Sequence, residues 1–212
     1  MNLRDARNIL IVGGSFDPPH LAHLIQPRRV AEHLHAEVML YIPAGRQPLK
    51  KEPQTPPHHR LAMLRLMVAG DPSIHISTME IDRLDDGRPS YTVDTLEQLR
   101  QVLGDKPALR LLIGSDQAIA FHRWHKPERI LELAEPVVMT RPPLSAPLLC
   151  ESIAHSQGKE AAQQWVSRIV ELPLLDISST DIRQRLKQRR SLAGLVSAPV
   201  EDYIRQHGLY GA

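Results

Sequence analysis

Residues 8–12, Asn-Ile-Leu-Ile-Val, form a short continuous apolar run that stops at Gly13-Gly14. A run of that length, apolar from Ile9 onward and ended by glycines, reads as a strand buried on both faces. Such strands belong to parallel sheets covered by helices on each side. The rest of the chain repeats the alternation. Helical spacing follows over 21–34, a second strand over 37–42 closed by Pro43, and helical spacing again over 61–68. A third strand is expected at 74–76, a turn at 85–89, a helix over 92–103, a strand over 109–113, a helix from Ser115 and a strand over 136–139. Beyond these, 160–166 reads as helix, 169–175 as extended chain, and 180–188 and 199–206 as helices, the last opened by Pro199. The Pro- and Ser-containing stretch 141–160 is expected to be irregular. Strands separated by helices imply right-handed crossovers. The expected fold class is therefore α/β, a Rossmann-like doubly wound parallel sheet with helices on both faces. Its 212 residues suit a single domain.

Composition narrows the partners. Hydrophobic residues make up 42% of the chain but aromatics only 4%, so the core must be mainly aliphatic. Lys and Arg total 26 against 24 Asp and Glu, a formal net charge of +2. That balance argues against nucleic acid or a membrane surface held by bulk charge. The single Cys150 excludes an intrachain disulfide and fits a reducing, cytoplasmic setting. No apolar run approaches the roughly 18 to 20 residues that cross a bilayer. Basic residues do precede Ile9, but that apolar run is too short for a signal peptide and enters glycines, not a cleavage site. Nothing in the sequence specifies an oligomeric state.

The strongest chemical signal follows the first strand: Gly13-Gly14-Ser15-Phe16-Asp17-Pro18-Pro19-His20-Leu21-Ala22-His23. Two glycines permit a sharp turn and close approach of a ligand to the backbone. The N–H groups at the start of the next helix favour anions. His20 and His23, three apart, share one helix face and can grip one group. The pattern is not G-x-G-x-x-G, and no Walker lysine follows, so neither a dinucleotide fingerprint nor a P-loop is indicated. A zinc site would need a third ligand, and H-E-x-x-H is absent. Taken alone, the pair equally fits a helix cap and a surface histidine.

A second anion-binding pattern lies near the other end of the chain, Ile177-Ser178-Ser179-Thr180-Asp181-Ile182-Arg183. Hydroxyls, helix N–H groups and a guanidinium fork gather there within one turn, and Ser178-x-x-Asp181 also fits a capping box. Between the two lie Ser90-Tyr91-Thr92-Val93-Asp94-Thr95-Leu96, Gly114-Ser115-Asp116 and Phe121-His122-Arg123-Trp124.

The first loop resembles the nucleotidyltransferase superfamily signature, an early Gly-x-Phe-Asp-x-x-His-x-x-His. With the Ser-Tyr-Thr-x-Asp-Thr-Leu, Gly-x-Asp, Phe-x-x-Trp and Ile-Ser-Ser-Thr-x-Ile-Arg segments, residues 9–183 resemble the bacterial nicotinate mononucleotide adenylyltransferase family. One departure is Ala22, where the family has Gly between the histidines. The resemblance implies transfer of AMP from ATP to nicotinate mononucleotide, giving nicotinate adenine dinucleotide and pyrophosphate in NAD biosynthesis. It implies catalytic roles for His20, His23 and Arg183. It implies ATP contacts at Gly13, Gly14, Ser15, Gly114, Asp116, Ser178, Ser179 and Thr180, with the C-terminal helices from about 178 to 212 completing that site. Pyridine-nucleotide contacts are implied at Ser15, Phe16, Thr92, Trp124 and, in the basic loop after strand two, Lys50; Arg141 is a weaker candidate. The Trp124 indole is the implied stacking face for the pyridine ring.

The chemistry fits those residue types. A phosphate monoester is already an anionic nucleophile near neutral pH, so positioning and charge stabilisation govern the reaction. No carboxylate pair at metal-ligand spacing stands out, so Mg²⁺ is expected on the ATP phosphates and water. Two other readings stay open at the level of sequence. One is another adenylyl- or cytidylyltransferase, such as the phosphopantetheine enzyme, which shares the first loop and the Ser-Ser-Thr element. The other is a non-catalytic nucleotide-binding module.

Overall fold

The computed structural model describes residues 3–46, 55–84, 87, 89–140, 144–173 and 175–212. Lys50, Arg141 and residues 85, 86 and 88 of the expected turn lie outside the described residues. Six strands form one sheet: β1 (Asn8–Gly14), β2 (Val38–Pro43), β3 (Ile74–Ile76), β4 (Ala108–Gly114), β5 (Glu135–Met139) and β6 (Ile169–Val170). Their order is β3-β2-β1-β4-β5-β6 and every pairing is parallel. The chain runs outward from β1 to β3, then crosses back over to β4 on the other side of β1. Connections therefore diverge between β1 and β4, and their C-terminal ends open the crevice where ligands bind in sheets of this kind.

Nine helices are described: α1 (Ala22–Leu34), α2 (Pro57–Val68), α3 (Thr92–Leu103), α4 (Ser115–Ile119), α5 (Pro127–Leu133), α6 (Ala146–Gln157), α7 (Lys159–Val166), α8 (Ser179–Lys187) and α9 (Ala198–Gln206). Alternation along β1 and β2 explains how they are shared out. Ile9, Ile11, Val38, Leu40 and Ile42 pack with buried residues of α3 to α7 on one face. Leu10, Val12, Met39 and Tyr41 pack with α1, α2, α8 and α9 on the other. Both faces are apolar because both are covered, which is why these strands read as uninterrupted apolar runs. No helix among the described residues is long and apolar enough to cross a membrane.

Two expectations need correction. The stretch 141–160 is not irregular throughout, because α6 occupies 146–157. Pro147 sits in its first turn, where a missing N–H costs nothing, and Leu149 and Ile153 bury one face at i, i+4. The extended segment 169–175 yields only a two-residue strand. It pairs with the edge strand β5 through Ile169 and Val170, and Pro173 lacks the N–H a longer ladder needs. In addition, α2 starts at Pro57, ahead of the expected Leu61.

Candidate active site

Gly13 and Gly14 end β1, opposite Ile42 and Pro43 of β2. A Cβ built on Gly13 would meet nothing within 4 Å, so the backbone there faces open space. At Gly14 the Phe16 ring already lies 3.0 Å from such a Cβ. Phe16 takes φ +50°, in the left-handed region, and the peptide joining Asp17 to Pro18 is cis. The Phe16 side chain turns into the core, 1% exposed, edge-on to His23 and tilted against Tyr41. A pyridine nucleotide could therefore meet only the main chain of Phe16.

His20 and His23 do share one helix face. Their rings stack with centroids 3.6 Å apart and 19° between planes. The His20 main-chain N–H donates to Nδ1 of His23 at 3.2 Å, which assigns the His23 proton to Nε2. The Tyr41 hydroxyl donates to the His23 carbonyl at 2.7 Å, fixing the first turn of α1 to β2.

The C-terminal segment reaches this loop directly. Ser179 Oγ donates to the Pro18 carbonyl at 2.8 Å, and Arg183 Nη1 donates to the Asp17 carbonyl at 2.7 Å. Arg183 Nη2 also donates to Thr180 Oγ1 at 3.2 Å. Ser178 Oγ accepts from the Asp181 N–H at 3.1 Å, so Ser178 does cap α8, while the Asp181 carboxylate pairs with Arg185. The Leu21 N–H donates to the Leu195 carbonyl at 2.8 Å, and Gln26 Nε2 donates to the Pro173 carbonyl. Two segments far apart in sequence thus make one surface carrying the half-buried His23 imidazole, with the buried His20 ring stacked behind it, together with hydroxyls, a guanidinium and helix N-terminal N–H groups. Such a surface binds polyanions.

Beside it, β4 ends in Gly114, whose N–H donates to Gln117 Oε1 at 2.9 Å. Ser115 is buried and Asp116 exposed at the head of α4. Because Leu112 is in register with Val12, Asp116 leaves the sheet next to the Gly13 turn.

The Ser90–Leu96 and Phe121–Trp124 segments come together. Thr92 opens α3 half-buried, with Asp94 exposed in the first turn. The Tyr91 ring lies 4.4 Å from that of His125, the neighbour of Trp124. Trp124 is half-buried, 5.2 Å from the Phe121 ring, so it leans on the core and still presents surface. The Ser90 N–H donates to the Arg46 carbonyl at 2.8 Å and the Ala44 N–H to the Gly14 carbonyl at 2.8 Å. Through these bonds the segments at Ser90 and Arg46 and at the end of β2 are tied to the Gly13–Gly14 turn.

Several groups escaped the sequence reading. Arg60 of α2 is 1% exposed; its Nη1 donates to the Ser15 carbonyl at 2.7 Å and its Nη2 to the Ala44 carbonyl at 2.8 Å. Burial lowers its guanidinium from the ordinary value, opposed by Asp17 and Tyr210. Asp17 Oδ1 accepts from the Tyr210 hydroxyl at 2.7 Å. Glu80, half-buried beside Thr95, Arg83 and the Gly45 N–H, has its carboxyl pushed up to about 7, desolvation being the main cause. The signal for Arg60 was available: it is the one charged position among the residues that α2 buries. No local pattern announces Tyr210 or Glu80.

Residues 11–185 match the cytidylyltransferase-like family model. A nicotinate-nucleotide adenylyltransferase of Gemmatimonas aurantiaca is 39% identical over 202 residues, spanning 94% of this chain and 90% of the relative. Another, of Roseiflexus castenholzii, is 42% identical over 204 residues, spanning 94% and 96%. The solved nicotinic acid mononucleotide adenylyltransferase of Plasmodium falciparum, complexed with NaAD, superimposes with a TM-score of 0.73. It covers 96% of this chain and 97% of its own at 19% identity, a likeness of fold.

Proposed function

The chain belongs to the cytidylyltransferase-like family, among its nicotinate-nucleotide adenylyltransferases, and we propose that it transfers AMP from ATP to nicotinate mononucleotide in the cytoplasm as a step of NAD biosynthesis. The products are nicotinate adenine dinucleotide and pyrophosphate. The observation that carries the site assignment is the pair of bonds from Ser179 and Arg183 to Pro18 and Asp17, which makes one anion-binding surface of two remote motifs.

In the proposed mechanism the triphosphate lies across Gly13, Gly14, the His20–His23 face and the N-terminus of α8, with Ser178, Ser179 and Thr180 as hydroxyl donors. Gly114 and Asp116 receive the adenosine end. The acceptor phosphate sits beside Ser15, with the Phe16 main chain, Thr92 and Trp124 on the pyridine side and Lys50 as the basic-loop contact. An oxygen of that phosphate forms a bond to Pα of ATP, and the bond from Pα to the bridging oxygen of pyrophosphate breaks. The electron pair leaves with pyrophosphate, so no base need ionise the nucleophile. His23, with its proton on Nε2, and Arg183 stabilise charge on the phosphates as that bond lengthens.

The donors around the loop are imidazole, hydroxyl, guanidinium and N–H groups, which suit phosphate oxygens better than a bare hard cation. Mg²⁺ would therefore enter with the ATP phosphates and not on protein ligands, and would supply neutralisation of phosphate charge beside His23 and Arg183.

Pyrophosphate release with ATP and each of nicotinate mononucleotide, nicotinamide mononucleotide and phosphopantetheine tests the assignment. Nicotinate mononucleotide is expected to give the largest kcat/KM. A preference for phosphopantetheine would overturn it. The His20→Ala variant is expected to bind ATP and turn over slowly; equal turnover by variant and wild type would remove the catalytic reading of the loop.

A further inference from the structure

We infer that Tyr210 is a positioning residue for the phosphate loop, acting through Asp17 from near the C-terminus of the chain; this rests on the reading of that loop as the site of ATP phosphates. The Tyr210 hydroxyl donates to Asp17 Oδ1 at 2.7 Å across 193 residues of sequence. A hydrogen bond to a carboxylate is among the stronger kinds, and this one is shielded, since Asp17 is 3% exposed. Thr55 shares the phenol, and burial pushes the Tyr210 hydroxyl well above its usual value, so it stays a donor at any working pH.

The backbone on both sides of this bond is held in an unfavourable conformation. Phe16, just before Asp17, has φ +50°, and Tyr210 has φ +59°. Residues with a Cβ avoid that region and persist there where their surroundings over-determine them. The surroundings of Asp17 do so at three points. Its carboxylate is held by Tyr210, its carbonyl by Arg183, and the next carbonyl by Ser179. The Phe16 ring then stands edge-on to His23 with centroids 5.1 Å apart, so a twist at residues 16–17 reaches the imidazole directly.

Tyr210 is half-buried, and its hydroxyl meets Asp17 and Thr55. Its turn, Leu209–Gly211, packs on α8 and α9, and α8 carries Ser179 and Arg183, the other anchors of the loop. The tail therefore acts first on the His20–His23 face toward the triphosphate, while Thr92 and Trp124, which stand on other segments, keep the ring side of the acceptor pocket as it is.

The test is Tyr210→Phe in the full chain, which removes one hydroxyl and keeps the ring. Loss of a hydrogen bond to a charged partner predicts a fall of about tenfold in kcat/KM for ATP. KM for nicotinate mononucleotide should stay within about twofold, a split that a merely structural role would not produce, while the unfolding midpoint falls because the buried Asp17 carboxylate loses a donor. Asp17→Asn should cost at least as much, and the double variant should cost no more than Asp17→Asn alone, the non-additivity of residues acting as one unit. Wild-type constants for ATP in Tyr210→Phe, equal losses toward both substrates, or additive losses in the double variant would each overturn the inference. A wild-type enzyme that makes no pyrophosphate from these substrates would instead remove the functional reading on which it rests.

Discussion

Arg183 Nη1 donates to the main-chain oxygen of Asp17 at 2.7 Å, joining residues 166 apart, while its Nη2 donates to Thr180 Oγ1 within α8. A planar fork can brace a loop with one arm and a helix with the other and still carry a charge that never dissociates. An ammonium is a point charge and cannot span both partners. Arg183→Lys is therefore expected to lower kcat by about 10² to 10³, the size seen when one preorganised electrostatic donor is lost. Steady-state pyrophosphate release measures it. A lysine variant within a few-fold of wild type would mean that charge alone suffices and the fork is incidental.

That bond also shows what was legible in the sequence. The glycine turn, the His20–His23 pair and the Ser178–Arg183 run are local signals, set by spacing along one turn or one helix. So is the strand-helix alternation that places them at strand ends. The sequence could not show that Arg183 reaches Asp17, because that contact depends on α8 packing back onto the face that carries α1. The resemblance implies a pyridine-nucleotide contact at Phe16 without saying which part of the residue makes it, because an aromatic in a loop has no periodicity to declare its side. The left-handed backbone at Phe16 turns the ring inward. Arg60 was passed over because a cation in a helix usually points to water. Here two carbonyls at the ends of β1 and β2 claim it.

Gly45 is fixed by sterics, not by φ. A Cβ added there would stand 2.2 Å from the Glu80 carbonyl and 2.7 Å from Ser90 Oγ. The first of these is backbone and cannot rotate away. Gly45→Ala is expected to destabilise the fold by about 1–3 kcal/mol, as overpacking does. KM for the mononucleotide should rise with it, since the Arg46–Ser90 tie leads straight to Thr92. Denaturant unfolding beside substrate kinetics would read both. An alanine variant of undiminished stability would show that the Glu80 segment yields easily.

Trp124 stands on Phe121 and next to the Tyr91–His125 contact, half-buried with one part exposed. A stacked pyridine ring gains roughly 0.5–1.5 kcal/mol from such a face beyond its burial. Trp124→Ala should therefore raise KM for nicotinate mononucleotide by about three- to tenfold, since 1.4 kcal/mol is a factor of ten. KM for ATP should remain close to wild type, because Trp124 rests on Phe121 and not on the Gly13–His23 loop. Parallel loss of both affinities would count against the pocket.

Glu80 gives a pH dependence with a definite sign. Burial pushes its carboxyl up from 4.5 to about 7, against the ionised form favoured by the Thr95 hydroxyl, Arg83 and the Gly45 N–H. The folded chain therefore keeps a proton that the unfolded chain has released once the pH passes 4.5. Its share of stability is fully present below that value and is lost as pH rises toward about 7, where the folded carboxyl ionises too. Glu80→Gln has no proton to release, and its amide oxygen can still accept from Thr95 Oγ1, which donates to Glu80 Oε1 at 2.9 Å. The variant should match wild type near pH 4.5 and gain on it steadily as the pH approaches 7. Unfolding midpoints of both proteins across that range decide the matter. A constant difference between them would mean that Glu80 is ionised in the folded chain throughout, with its charge met by Arg83.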